Sequence, residues 1–279
     1  MGYGGKRRRW RWMAPAGLLG FLVLAAVLAP WISPQDPYEL GALRLEDSAL
    51  APGEKGYWLG TDVQGRDVLS AVLYGLRVSL VVGVTATLLA ALVGVGLGLA
   101  AGYGRGWLES VVMRLADVQL AFPSILIALF LMAVWGQGLG KIIVAVAVAH
   151  WVIYARTVRG TVLAEREKDY VAAIRALGGG TGRILVRHLL PNLAAPVMVI
   201  SAVEFASVVM LEATLSFLGL GVPITHPSLG MLIKFGYEEV FSGAWWIWLF
   251  PGLALVGLVL SLNWLADVMR EKLAPAGLS

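Results

Sequence analysis

Long apolar blocks separated by short polar or basic stretches set the pattern of this chain. Apolar runs cover 13–32, 78–101, 115–135, 142–158, 193–217 and 246–266. Each is about as long as a helix needs to be to cross the hydrocarbon core of a bilayer. The pattern predicts an all-α membrane protein with six transmembrane helices. The first run follows Lys6, Arg7, Arg8, Arg9 and Arg11. A cleaved signal peptide is the competing reading there, with Val27-Leu28-Ala29 as its cleavage site. The run is long for a signal peptide, and Pro30 is a poor start for a mature chain, so a retained first span at 13–33 is preferred.

The stretches between the spans supply the punctuation. Residues 34–77 are polar and contain Leu59-Gly60-Thr61-Asp62 and Gly65-Arg66-Asp67. Thr61 or Asp62 is expected to cap a short helix on the membrane surface that leads into the second span. Asp62, Arg66 and Asp67 read as caps and local ion pairs rather than catalytic groups. Gly94, Gly98 and Gly102 share one helix face and allow another helix to approach closely. Gly94, Gly96 and Gly98 lie inside an apolar helix and not at a strand-to-helix turn, so they are no nucleotide loop. Arg114 and Asp117 are spaced to pair. Pro123 kinks the third span or marks its start. Lys141 follows Gly140, but Ile142 stands where a phosphate loop needs Ser or Thr, so the chain carries no ATP site of its own. Trp245, Trp246 and Trp248 form an interfacial aromatic group at the entry to the last span.

One polar segment stands out. It runs from Asp169-Tyr170-Val171-Ala172-Ala173-Ile174-Arg175-Ala176-Leu177-Gly178 to Leu190-Pro191-Asn192, with Arg156, Arg159, Arg166, Lys168, Arg183 and Arg187 in or beside it. Two short helices are expected, over 163–177 and 182–189, with Gly178-Gly179-Gly180 as the break and Pro191 as the stop. The Ala172-Ala173 step keeps one face thin. Two helices joined by a glycine elbow form a knob that another protein can grip, although an ordinary basic loop between spans fits the same residues.

This segment resembles the cytoplasmic coupling loop of ABC importer permeases. The family pattern is Glu-Ala-Ala, three residues, Gly, nine residues, Ile, one residue, Leu-Pro. Counted back from Leu190-Pro191, its Gly falls on Gly178. Ala172 then replaces Glu, Ile174 replaces the second Ala, and His188 replaces Ile. The wording is closer to the dipeptide/oligopeptide/nickel branch. So are the string Leu59 to Ser70, the stretch Leu215 to Pro223, Pro227 to Leu232, Phe250-Pro251-Gly252, and Asn263, Asp267 and Arg270. The resemblance implies a permease subunit that forms a translocation pathway with a homologous second permease subunit. It also implies two cytoplasmic ABC ATPase subunits and an extracytoplasmic substrate-binding protein. The ATPase-coupling residues would be Tyr170, Ala172, Ala173, Arg175, Leu177, Gly178, His188, Leu190 and Pro191, within a loop at 160–192 of a core at 78–266. Dipeptides or oligopeptides are the implied cargo, with nickel or another small solute as the alternative.

Composition agrees with a membrane protein: 58% of the 279 residues are hydrophobic and 14% charged, against about a quarter charged in soluble domains. Of the 22 lysines and arginines, all but Arg44, Lys55, Arg66, Arg77, Lys141 and Lys234 fall on the side that holds both termini and the central loop. Positive residues favour the cytoplasm, so residues 1–12, the loop and the tail 267–279 are expected inside a bacterial plasma membrane, and 34–77 outside. The basic residues cluster at span ends rather than on one stripe, which argues against nucleic acid as a partner. The chain has no cysteine, and His150, His188 and His226 show no metal-ligand spacing. No cofactor and no enzyme activity are expected, and an intramembrane peptidase is disfavoured because no catalytic set appears. Glu204 and Glu212 lie in the fifth span, about 80° apart around an ideal helix. They either face the subunit interface or translocation pathway or make buried interhelical hydrogen bonds. An ion-coupled transporter would use such carboxylates, but the internal repeat it would favour is not found.

Overall fold

The computed structural model describes residues 4–39, 44–223 and 225–273. Its regular structure is helical: α1 (Gly4–Ile32), α2 (Val68–Gly104), α3 (Trp107–Leu120), α4 (Ser124–Trp135), α5 (Leu139–Glu165), α6 (Asp169–Ala176), α7 (Thr181–Ile184), α8 (Leu190–Phe217), α9 (Leu229–Glu238) and α10 (Trp246–Leu273). Among the described residues five helical stretches are long and apolar enough to cross a membrane: Met13–Ile32, Val68–Gly104, Leu139–Glu165, Thr181–Phe217 and Trp246–Lys272. The pair α3 and α4, bent by 90°, makes a sixth if counted as one span.

The glycine stripe of α2 fixes how the two longest neighbours meet. A Cβ on Gly94 would stand 2.5 Å from Tyr154 Cβ, one on Gly98 2.9 Å from Val158 Cβ, and one on Gly102 2.9 Å from Val162 Cβ. No side chain fits at those distances, so the backbones touch, as the four-residue spacing predicts. The contact partners advance together along both helices, so α2 and α5 run parallel. The chain between them must therefore come back, and α3 with α4 makes that return crossing. Helix α8 runs antiparallel to both: Ser79 of α2 meets Glu212, and Gly83 lies against Phe205 and Val209. Leu22 and Ala26 of α1, Val72 and Leu76 of α2, Val209 of α8, Leu229 of α9 and Leu258 and Leu262 of α10 share one buried cluster.

Several elements differ from expectation. The third span starts before 115, at Trp107, and the kink expected at Pro123 divides it into two helices bent by 90°. Helix α3 stops at Leu120 and α4 restarts at Ser124, since Pro123 lacks an N–H and pushes Phe122 out of helical geometry. Asp117 pairs with Arg156 of α5 and not with Arg114. An exposed pair within one helix is worth only about 0.2–0.5 kcal/mol, which a cross-helix partner easily replaces. Helix α1 opens at Gly4, through the basic stretch rather than after it. Helix α2 opens at Val68, well before 78, because Asp67 accepts a hydrogen bond from Ser70 N at 2.8 Å and caps it. The surface helix expected from Thr61 or Asp62 does not form. Thr61 bridges to Asp67, and Asp62 pairs with Arg66 at 2.6 Å. Among the described residues ahead of α2, two short 3-10 turns occur, Leu45–Asp47 and Glu54–Gly56.

Pro191 does not stop a helix either. A single wide turn over Leu185–Leu189 joins α7 to α8, with Leu190 N bonded to Leu185 O five residues back. The ladder is already out of register where the proline ring removes its donor, so the span runs unbroken from Thr181 to Phe217.

Candidate functional site

The segment between α5 and α8 is a short helix clamped to the ends of its neighbours. In α6 the apolar positions Val171 and Ile174 are three apart and share one face. Val171 is fully buried in a cluster with Val158, Val162, Ile184, Leu189 and Leu193, and Ile174 packs against it. Polar ties surround this base. Tyr170 donates its hydroxyl to Glu165 Oε2 at 2.9 Å and accepts from Asn192 Nδ2 at 3.2 Å. Burial, then the Glu165 hydrogen bond, hold the Tyr170 phenol above its usual range. The same Asn192 amide donates to His188 O at 3.0 Å. Arg166 donates to Gly102 O and Tyr103 O, each at 3.0 Å, which pins the start of the segment to the end of α2. Its guanidinium and that of Arg175 lie 5.8 and 5.6 Å from the Tyr103 ring.

The far end of α6 is a turn that only glycine accepts without strain. Gly179 N bonds to Ile174 O at 2.9 Å and Gly178 N to Arg175 O at 3.0 Å. This pair of bonds is the Schellman ending, and it places Gly178 in the left-handed region with φ +79°. Beyond it, a Cβ on Gly179 would strike Ile174 Cγ2 at 2.4 Å.

The nine segment residues singled out from sequence divide into two groups. Ala172, Ala173, Arg175, Leu177 and Gly178 are exposed, and together they form the outward face and tip of α6. Leu177 is 89% exposed, an unusual position for an apolar side chain at the end of a well-packed helix. Tyr170 and His188 are partly buried, with ring centroids 6.5 Å apart, and tie α6 to the returning helix. Leu190 and Pro191 lie exposed on that helix. The sequence reading missed the anchors Val171, Ile174, Ile184 and Leu189. The three-residue spacing of the first two was a usable signal; the pairing across the glycine turn was not.

The membrane carboxylates are enclosed by this chain's own helices. Glu204 Oε2 lies 2.6 Å from His150 Nδ1 of α5, and both are buried. Glu212, fully buried, accepts from Ser79 Oγ of α2 and from Ser216 Oγ, each at 2.8 Å. Both therefore make the buried hydrogen bonds that stood as one of the two expectations. Ser216, four residues on from Glu212, was a foreseeable partner; Ser79 and His150 come from other spans and carried no local signal. Among the described residues no three of His, Asp or Glu gather into a group able to hold a metal ion.

Comparison with known proteins bears on what such a segment serves. A family model described as "Binding-protein-dependent transport system inner membrane component" matches residues 94–275. A putative peptide transport system permease protein of Brucella suis is 42% identical over 92% of this chain and 85% of its own length. The di/tripeptide transport system permease protein DppC of Pseudomonas aeruginosa is 37% identical over 94% of this chain and 88% of its own. The glutathione transport system permease protein GsiD of Pectobacterium atrosepticum is 35% identical over 93% and 85%.

Proposed function

This chain belongs to the family of binding-protein-dependent transport system inner membrane components, and from that premise we propose that it is a permease subunit of an ATP-driven peptide importer. Two further relatives, from Bacillus subtilis and Haemophilus influenzae, are named dipeptide transport system permease proteins, which favours short peptides as cargo over nickel. The pathway forms between this subunit and a homologous second permease. An extracytoplasmic binding protein delivers the peptide, and two cytoplasmic ATPases supply the energy.

The observation that carries this reading is the shape of α6. Its inner face is locked into an apolar base, and its outer face offers Ala172, Ala173 and the exposed Leu177 beside the Gly178 turn. Such a knob transmits force without chemistry. ATP binding draws the ATPases together, their motion displaces α6, and the tie of Tyr170 to Glu165 and Asn192 passes it to α5 and α8 at once. The spans then alternate between outward and inward access. Both termini and α6 lie in the cytoplasm, on the plasma-membrane side that carries most of the basic residues.

The test is uptake of a labelled dipeptide into proteoliposomes that hold both permeases and the ATPases, with the binding protein outside and ATP inside. Uptake should require ATP and survive collapse of the ion gradients. Uptake that persists without ATP and stops on gradient collapse would make the chain an ion-coupled transporter instead.

A further inference from the structure

Over its outer half, residues 206–217, helix α8 is closed on most of its circumference and open on one face; nearer its start, Met198, Ser201 and Ala202 border a separate cleft. Glu212 turns toward α2, and Val208, Leu211 and Leu215 pack with residues of α4 and α5. Gly230 of α9 presses on Ala213. The remaining face carries Val203, Ser207, Met210 and Thr214, spaced four, three and four apart, and thus on one side of the helix. Ser207 is exposed and Met210 is 52% exposed. Ser207 lies about 15 Å from the end of α8 at Phe217, which is near the middle of a ~30 Å hydrocarbon core.

This face and Asn263 of α10 border a cleft of about 430 Å³. Asn263 is exposed, and its amide has no hydrogen-bond partner among the described residues. In lipid such a group would cost several kcal/mol, whereas Leu126, Phe130 and Val134, exposed along α4, are apolar. The face of α8 therefore offers polar groups, Ser207, Thr214 and the facing Asn263, at positions where α4 offers apolar ones. Ser207 and Thr214 direct their hydroxyl hydrogens at Val203 O (3.5 Å) and Met210 O (2.8 Å). Their free lone pairs remain as acceptors, and Asn263 adds a donor and an acceptor. No charged side chain borders the cleft.

We propose that this face of α8, with Asn263, lines the aqueous route through the membrane and exchanges hydrogen bonds with the backbone amides of a permeating peptide. The proposal rests on the peptide-importer reading above. A neutral set of donors and acceptors matches what every peptide shares and ignores the charge of its side chains, so discrimination by side-chain charge belongs elsewhere in the assembly.

The chain has no cysteine, so Ser207→Cys, Thr214→Cys and, as a lipid-facing reference, Phe130→Cys can each be read alone in the assembled importer. A charged, membrane-impermeant methanethiosulfonate should modify the first two roughly tenfold faster than the third, because the reactive thiolate needs water to form. The dipeptide Ala-Ala, presented with its binding protein, should slow that modification. Asn263→Leu should lower the maximal rate of Ala-Ala uptake with the ATPases still bound, and Asn263→Gln should restore most of it. Modification of Ser207→Cys no faster than that of Phe130→Cys would place the face in lipid or in a dry subunit interface; either overturns the proposal. So does modification that Ala-Ala leaves unchanged while Asn263→Leu transports normally. If the unsubstituted importer takes up no Ala-Ala, the peptide reading fails by itself, and labelling still decides whether the face is wet.

Discussion

Gly178 allows the role of α6 to be separated from its stability. Its φ of +79° is one that a side chain adopts at a cost of roughly 1–2 kcal/mol. Within this chain, however, nothing lies within 4 Å of the position a Cβ would take. A substitution there strains one turn and collides with no neighbour of its own. That strain is small beside the packing of the spans, so Gly178→Asp should insert, fold and pair with the second permease. Whatever it disturbs must approach the tip of α6 from outside. We expect Gly178→Asp to abolish uptake and reduce the ATPase retained on the purified membrane complex, with the binding protein's affinity for cargo unchanged. Ala172→Arg, which adds a long charge to the same exposed face, should behave alike. Gly179→Ala is the internal contrast: its Cβ would meet Ile174 Cγ2 at 2.4 Å and Ile174 O at 2.8 Å, so it should deform the turn itself and lower the yield of folded subunit. Co-purification of the ATPases and uptake are measured side by side. Normal uptake with full ATPase retention in both Gly178→Asp and Ala172→Arg would refute α6 as the coupling element.

Three further outcomes follow from the packing. Gly98→Leu places a side chain where a Cβ already lies 2.5 Å from Ala155 O; overpacking of this kind costs about 1–3 kcal/mol or more. The folded yield in detergent should drop well below that of Gly96→Leu, whose Cβ meets nothing within 4 Å, and equal yields would contradict the close helix contact. Glu212→Leu strips the acceptor from Ser79 and Ser216, at roughly 1–3 kcal/mol for the groups left unpaired, whereas Glu212→Gln keeps one acceptor. The melting temperature of the purified complex should therefore fall further for Leu than for Gln, and identical values would remove the hydrogen-bond role. Single cysteines at the exposed Ser48, Thr181 and Ser242 report sidedness: an impermeant thiol reagent on intact cells should reach the first and third but not the second, and the reverse pattern would invert the topology.

How much of this was legible beforehand depended on how local each feature is. Apolar length alone located the spans, because lipid offers no partner to a free backbone amide and a stretch of about 20 apolar residues has little choice but to be a helix. The glycine stripe on α2 was visible for a similar reason: a four-residue spacing places Gly94, Gly98 and Gly102 on one face whatever the neighbour. Gly178 was readable because a helix that ends in glycine uses a turn defined by residues adjacent in sequence. What ends a helix inside the membrane was harder. Pro123 breaks its span and Pro191 does not, and the difference is the wide turn Leu185–Leu189, which absorbs the missing donor of Pro191. No short surface helix starts at Thr61 or Asp62 because that segment folds back, with Thr61 N bonded to Leu50 O at 3.0 Å and Trp246 Nε1 to Thr61 O at 3.1 Å, and Asp67 caps α2 directly. The cross-helix partners of Glu204 and Glu212 were beyond any sequence reading. The charges lie on α8, but His150 and Ser79 reach them from spans 54 and 133 residues away in the chain. Which distant side chains meet is decided when the helices pack, because a carboxylate in lipid is tolerated only where some other span brings it a donor.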